Sequence, residues 1–179
     1  MTFSNQPKGR EQSIIDLFMV TFTDSEGAEE GRLIGNLVNN LLDDTAQEDI
    51  HVFTAEDNEE LIGAAIFTRL TYVNDPRKVF ILSPMAVATE HQGQGTGQAL
   101  LVNSQAKLRE FGVDVSITYG DPAFYGKVGY MPLSETMAPP PLPLSQPQGW
   151  IGRSLTDAIL MPIQGPSNCV EALNDPALW

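Results

Sequence analysis

The stretch from Val79 to Gly112 restricts this chain more than any other. An apolar run, Val79-Phe80-Ile81-Leu82, leads through Ser83-Pro84 to Met85-Ala86-Val87-Ala88. A polar segment, Thr89-Glu90-His91-Gln92, follows, and then Gly93, Gly95 and Gly97 alternate with other residues. Beyond them Leu100, Leu101, Leu108 and Phe111 recur at helical spacing, with Gly112 placed to cap the C-terminus. The expected plan is strand, glycine loop, helix. Glycines in such a loop take positive φ and let backbone approach a ligand closely. The free N–H groups and the positive dipole end of the helix then favour an anion such as a phosphate.

Three phosphate-binding patterns compete for this stretch. A P-loop requires a lysine after its glycines, and none follows here. A dinucleotide-binding turn requires G-x-G-x-x-G directly at a strand end. Here the spacing is G-x-G-x-G, with Thr89 to Gln92 intervening after Ala88, and Asp114 opens the next apolar run instead of closing it. The third pattern fits: Gln92-Gly93-Gln94-Gly95-Thr96-Gly97 resembles the Q/R-x-x-G-x-G/A signature of the GNAT acyl-CoA N-acyltransferases. One helix and one strand later, Tyr119-Gly120-Asp121-Pro122-Ala123-Phe124-Tyr125-Gly126-Lys127-Val128-Gly129-Tyr130 resembles the next motif of that family, a short helix carrying F-Y-x-x-x-G-F/Y. The G-D-P-x-Y/F-Y form is similar to the bacterial N-acetyltransferases of YhbS type. The resemblance covers about residues 2 to 132.

Length, composition and charge bound the alternatives. A chain of 179 residues suits one domain, 1–179, in which 132–179 supplies a C-terminal part with a Pro-rich loop and the last strand. Its apolar runs are too short for a membrane helix, and MTFSNQPKGR lacks the apolar centre of a signal peptide. One cysteine, Cys169, excludes an internal disulfide and is too few for a zinc site, so no metal is expected and the location is read as cytoplasmic. The net charge of −13 makes nucleic acid and anionic membrane poor partners and would draw a cationic acceptor. It equally serves solubility. An anionic coenzyme must then be held by local amides and dipoles.

In chain order, Thr2–Gln6 is expected as a short strand and Arg10–Phe22 as a helix, followed by an acidic turn from Asp24 to Gly31. A second helix is expected over Ala28–Asp43, with Leu33, Ile34, Leu37, Val38, Leu41 and Leu42 on one face. Strands follow at Ile50–Ala55, Leu61–Val73 and Lys78–Ala88. Pro84 cannot donate to a ladder, so the sheet must open or bulge there. Val113–Thr118 is the next strand, and Asp121 with Pro122 starts a short helix as N-cap and first residue. The Ala138–Pro147 segment reads as polyproline-like, and Leu155–Ile163 as the last strand.

The resemblance implies the fold and the chemistry. The fold is α/β (α+β): a mixed, mostly antiparallel central sheet, splayed between its fourth and fifth strands and flanked by helices. The implied reaction is acetyl transfer from acetyl-CoA to a primary amine of a small molecule or peptide, by direct attack in a ternary complex. Gly93, Gln94, Gly95, Thr96, Gly97 and Gln98 would hold the pyrophosphate of coenzyme A, and Met85, Ala86 and Val87 its pantetheine arm. The Met85 N–H would face the thioester oxygen, and Tyr125 would be the general acid for the departing thiolate. Glu26 and Glu29 are acceptor-side candidates that would equally complement a helix dipole. Trp150 is a third, as a wall of the acceptor site or a core anchor. No general base is assigned, because Lys78–Ala88 contains no carboxylate. Dimers are common in that family, so a homodimer is one expected assembly. The rival reading is a CoA-binding sensor or interaction module without catalysis. An aminoacyl-tRNA acceptor is disfavoured by the charge.

Overall fold

The computed structural model describes residues 1–179. Its elements are β1 (Thr2–Ser4), α1 (Glu11–Glu26), α2 (Ala28–Asp44), β2 (Ile50–Asp57), β3 (Glu60–Tyr72), β4 (Val79–Val87), α3 (Thr96–Glu110), β5 (Val115–Tyr119), α4 (Pro122–Tyr125), β6 (Met131–Pro132), β7 (Trp150–Ser154) and β8 (Ser167–Asn168). Hydrogen-bonded neighbours run in the order β1-β2-β3-β4-β5-β7-β6, with β8 pairing β3. The β4–β5 pair is parallel, whereas β1–β2, β3–β8, β5–β7 and β6–β7 are antiparallel. The sheet is therefore mixed and mostly antiparallel, as expected. No helix is long and apolar enough to cross a membrane. The chain forms two compact units, Met1–Phe67 with Pro84–Ser104, and Thr68–Ser83 with Gln105–Trp179.

In the first unit, α1 and α2 lie against each other. Helix α1 buries Ile14, Phe18 and Thr21, and α2 buries Ile34, Leu37, Val38 and Leu41. Two glycines on one face of α2 permit the close crossing. A Cβ on Gly31 would stand 2.6 Å from the Met19 carbonyl oxygen, and one on Gly35 3.3 Å from the Met19 Cβ. The expected acidic turn from Asp24 to Gly31 is corrected. Helix α1 continues through Glu26, and a single residue, Gly27 at φ 99°, separates it from α2. Its N–H donates to the Thr23 carbonyl (3.0 Å) and its carbonyl accepts from Gly31 N–H (3.0 Å), so one glycine ends one helix and begins the next. Polar residues did not break α1; the only residue there able to take positive φ at low cost did. Strands β2 and β3 are joined by Asn58-Glu59, with φ of 47° and 69°, the pattern of a tight hairpin turn. Phe53 and Phe67 meet edge to face at 5.7 Å between centroids.

In the second unit, Val79–Leu82 of β4 runs parallel to Val115–Thr118 of β5, and this register ends at the Leu82–Thr118 pair. Pro84 follows two residues later. The residues of β4 beyond Leu82 have no partner on β5, so the strands part where the missing proline N–H predicts. On its other side β5 pairs β7 from Val115–Ser154 to Tyr119–Trp150. The expected last strand at Leu155–Ile163 is corrected: β7 is Trp150–Ser154. Ser154 Oγ accepts from the Thr156 N–H (3.2 Å), a side-chain turn that takes the chain off the sheet, and Ile159 and Met161 beyond it are exposed. The short β8 at Ser167–Asn168 then pairs with Thr71 and Tyr72.

Candidate functional site

The glycine loop belongs to the first unit. The end of β4 is tied to β3 by the Ala88 N–H donating to the Ile62 carbonyl (2.9 Å). A helical turn at Thr89–His91 follows. Thr89 Oγ1 donates to Asp24 Oδ2 (2.7 Å), Gln92 Nε2 to the Val87 carbonyl (2.9 Å) and Gln94 Nε2 to the Glu90 carbonyl (2.8 Å). Both glutamine side chains thus turn back to brace the loop. Gly93 and Gly95 have φ of 71° and 84°, and a Cβ at either would meet nothing within 4 Å. They are required by backbone conformation, with open ground above them. The first bond into α3 runs from the Ala99 N–H to the Gly95 carbonyl (3.0 Å), so the N–H groups of Thr96, Gly97 and Gln98 precede the helical ladder. No lysine or arginine lies between Val87 and Gln98, so an anion approaching this loop would meet backbone amides and the helix dipole. Ala86 is buried and Met85 and Val87 half-buried on the part of β4 that β5 does not pair.

Tyr125 belongs to the second unit. Asp121 caps α4 through Oδ1, which accepts the Ala123 N–H at 2.9 Å, with Pro122 at the first helical position, as expected. The Tyr125 ring lies against Gly120, where a Cβ would stand 2.7 Å from Cε2. It meets Phe124 and Tyr130 edge to face, at 5.0 Å and 5.6 Å. Its hydroxyl is within hydrogen-bonding reach of Thr118, whose own Oγ1 donates to the Leu82 carbonyl at 3.0 Å. Burial, then the neighbouring Tyr130 phenol, push the Tyr125 pKa up to about 12, and the Asp121 carboxylate adds to that rise. The group keeps its proton across the neutral range.

A polar network the sequence did not advertise supports this turn. Arg153 Nη1 donates to the Gln105 Oε1 (2.8 Å) and to the Val128 carbonyl (2.6 Å), and Gln105 Nε2 reaches the same carbonyl (3.4 Å). Tyr130 exchanges a 2.6 Å hydrogen bond with Ser116 and its N–H donates to the Tyr125 carbonyl (3.3 Å). Arg153 and Gln105 come from different elements and have no motif spacing, so only the fold brings them together.

Beside this turn is a concavity of about 370 Å³ lined by Tyr119, Asp121, Pro122, Ser145, Gln146 and Gln148, among others. The tail of the Pro-rich segment forms one rim. Tyr119 Oη accepts the Gln146 N–H (2.6 Å) and bonds Ser145 Oγ (3.0 Å), while the Gly120 N–H donates to the Gly149 carbonyl (3.0 Å). The Tyr119 ring is stacked on Trp179 at 6.3 Å. Asp121, expected only as a helix cap, also lines this concavity. Its place directly after β5, at a sheet edge followed by a short helix, was the available signal.

The remaining site candidates are placed as follows. Glu26 is exposed at the end of α1, and Glu29 is exposed in the first turn of α2, where its charge complements the dipole. Trp150 is a core anchor with no exposed surface, its indole N–H donating to the Ala138 carbonyl at 2.8 Å. His91 is half-buried and Glu90 exposed in the loop. Cys169 is half-buried, and burial raises its thiol pKa.

Comparison with known proteins bears on this geometry. Residues 48–132, from just before β2 to the end of β6, match the acetyltransferase (GNAT) domain family. The uncharacterized N-acetyltransferase YjhQ of Escherichia coli (strain K12) is 30% identical over 141 residues, covering 76% of this chain and 77% of its own length. The crystal structure of the GNAT family N-acetyltransferase YhbS from Escherichia coli in complex with CoA superposes with a TM-score of 0.78 at 22% identity, covering 97% of this chain and 92% of that one. A GNAT family acetyltransferase from Brucella melitensis in complex with acetyl-CoA gives 0.74 at 18% identity, with 97% of each chain covered. The glycine loop, the parted strands β4 and β5 and the F-Y helix stand in a chain whose sequence and fold both match, and the protein belongs to the GNAT acetyltransferase family.

Proposed function

We propose that this protein transfers an acetyl group from acetyl-CoA to a primary amine of a small molecule or peptide, both substrates being bound together. The observation that carries the reading is the loop Gly93–Gln98: two glycines at positive φ with open space above them, followed by helix N–H groups that precede the ladder. Such a loop fits a diphosphate, which needs several converging donors and no bulk in its way. It also fits a chain of charge −13, because the donors are neutral amides placed at one point. Bound acetyl-CoA supplies an acyl thioester, which the amine converts to an amide and a free thiol.

The chain's own residues take the other roles. The amides of Gly93 to Gln98 hold the diphosphate. Met85, Ala86 and Val87 offer the edge of β4 that β5 leaves unpaired, and the Met85 N–H is assigned to the thioester oxygen, where negative charge grows. The Val87 carbonyl is already engaged by Gln92, which leaves that residue its N–H. Tyr125 donates its proton to the departing sulfur, a role worth about 10²- to 10⁴-fold. Burial keeps the phenol protonated through the neutral range, so the proton is present when the thiolate leaves.

The test is calorimetric titration of acetyl-CoA into the protein and into Gly95→Glu. Saturable binding that the substitution removes, with the variant still folded by circular dichroism, is the expected result. Space above Gly95 is open, so the glutamate side chain meets no neighbour and its carboxylate opposes the diphosphate directly, while the φ of 84° costs some backbone strain. Equal affinity in the two proteins would overturn the assignment of the loop.

A further inference from the structure

We propose that the concavity beside α4 is the acceptor pocket, and that it takes a primary alkylamine carrying no carboxylate or phosphate, with Asp121 as the group that binds its ammonium. This rests on the acetyltransfer reading above and adds to it the class of acceptor. The pocket's walls carry one carboxylate and no lysine, arginine or histidine. An amino acid or nucleotide acceptor would bring an anion that finds no cation in the walls and faces the Asp121 carboxylate, and like charges repel. A simple ammonium, by contrast, finds acceptors. Asp121 uses only Oδ1 for the cap, leaving Oδ2. Gln148 donates through Nε2 to Gln146 Oε1 (2.5 Å), which leaves its own Oε1 to accept. The Pro122 and Tyr119 rings offer apolar surface for methylenes, and about 370 Å³ accommodates a short chain.

The pocket is preformed. Its rim is fastened by the Tyr119–Gln146, Tyr119–Ser145 and Gly120–Gly149 hydrogen bonds, and Tyr119 is itself stacked on Trp179. It also adjoins the proposed acid: Gly120 lines the pocket, and the Tyr125 ring lies against the same glycine. Charge couples the two groups as well. The Asp121 carboxylate contributes to holding the proton on Tyr125, and a cation bound at Asp121 offsets that contribution when the acid must act.

The step balances. The ammonium loses one proton to water to become the attacking amine. The N–C bond forms as the C–S bond breaks, and Tyr125 gives its proton to sulfur. The second proton shed by nitrogen, on becoming an amide, restores Tyr125 through solvent. The sum is one amide, one thiol and one released proton.

The experiment measures thiol release with acetyl-CoA and 1,5-diaminopentane, with glutamate as the carboxylate-bearing comparison, in the protein and in Asp121→Asn. Asparagine caps a helix as well as aspartate does, so the variant removes charge and keeps α4. The expected results are turnover of the diamine well above that of glutamate, and a KM for the diamine raised about tenfold or more in the variant, a typical loss for a hydrogen bond to a charged group. The acetyl-CoA affinity should be unchanged. Gln148→Leu, which leaves α4 untouched, should raise the same KM by a smaller factor. An unchanged KM in Asp121→Asn, or glutamate preferred to the diamine, would overturn the pocket. Failure of the unaltered protein to bind acetyl-CoA would instead overturn the underlying reading, and this inference with it.

Discussion

At the scale of single residues, Tyr125 is governed by its immediate packing. Replacing it with phenylalanine keeps the ring contacts to Gly120, Phe124 and Tyr130 and deletes only the hydroxyl. Turnover should fall by at least about tenfold with acetyl-CoA affinity preserved, read from steady-state rates and calorimetry together; equal turnover would remove Tyr125 as the acid. Gly120→Ala should lower turnover in the same way, because its methyl group would lie 2.7 Å from the Tyr125 ring and displace it. The motif made Tyr125 visible in the sequence. The reason it holds its proton was not visible: burial in the folded chain is the largest cause, and the Tyr130 phenol and the Asp121 carboxylate add to it.

Between residue and fold stand the elements and their joints. The α1–α2 crossing depends on Gly31, and Gly31→Ala forces a methyl against the Met19 carbonyl oxygen (2.6 Å) and the Thr23 N (2.9 Å). Overpacking against backbone should destabilise the protein by about 1–3 kcal/mol in urea denaturation. Gly126→Ala, with nothing within 4 Å, should be neutral or stabilising by up to about 1 kcal/mol. A second joint is the clasp of Arg77 with Asp75 (2.6 Å), in which Asp75 also accepts the Gln164 N–H (3.2 Å) and Arg77 donates to the Met161 and Pro162 carbonyls (2.9 and 2.8 Å). The hydrogen bond from Arg77 holds the Asp75 pKa down to about 2. A carboxyl with a lowered folded-state pKa stabilises above its unfolded value, near 4, and that contribution disappears as pH falls toward 2. The stability difference between the protein and Asp75→Asn should therefore be constant above about pH 5 and shrink toward pH 2; a difference independent of pH across that window would show that the clasp does not act through charge.

For the molecule as a whole, the net charge of −13 sets the long-range field. Salt screens that field, so raising ionic strength should weaken capture of a cationic amine and should not weaken binding of the anionic coenzyme. Initial rates at low and high salt should show the diamine KM rising several-fold while the acetyl-CoA KM holds or falls. The opposite pattern would mean that local basic groups, and not loop amides, hold the coenzyme.

The sequence by itself determined the local plan. Apolar period, glycine placement and the proline in β4 set the strand, the loop, the helix after it and the point where β4 leaves β5, because each depends on neighbouring residues and backbone sterics. The cap at Asp121 was legible for the same reason. Tertiary structure alone decided the rest. Whether the strand beside β5 was Trp150–Ser154 or Leu155–Ile163 depended on which segment β5 and β6 would accept as a partner, and apolar content alone favours the second, which stays off the sheet. The continuation of α1 to Glu26 followed from where positive φ was affordable, at Gly27. Arg153, Gln105 and the pocket rim at Ser145–Gln148 meet their partners across long sequence separations, and such pairings are energetic outcomes of folding that leave no local pattern to read.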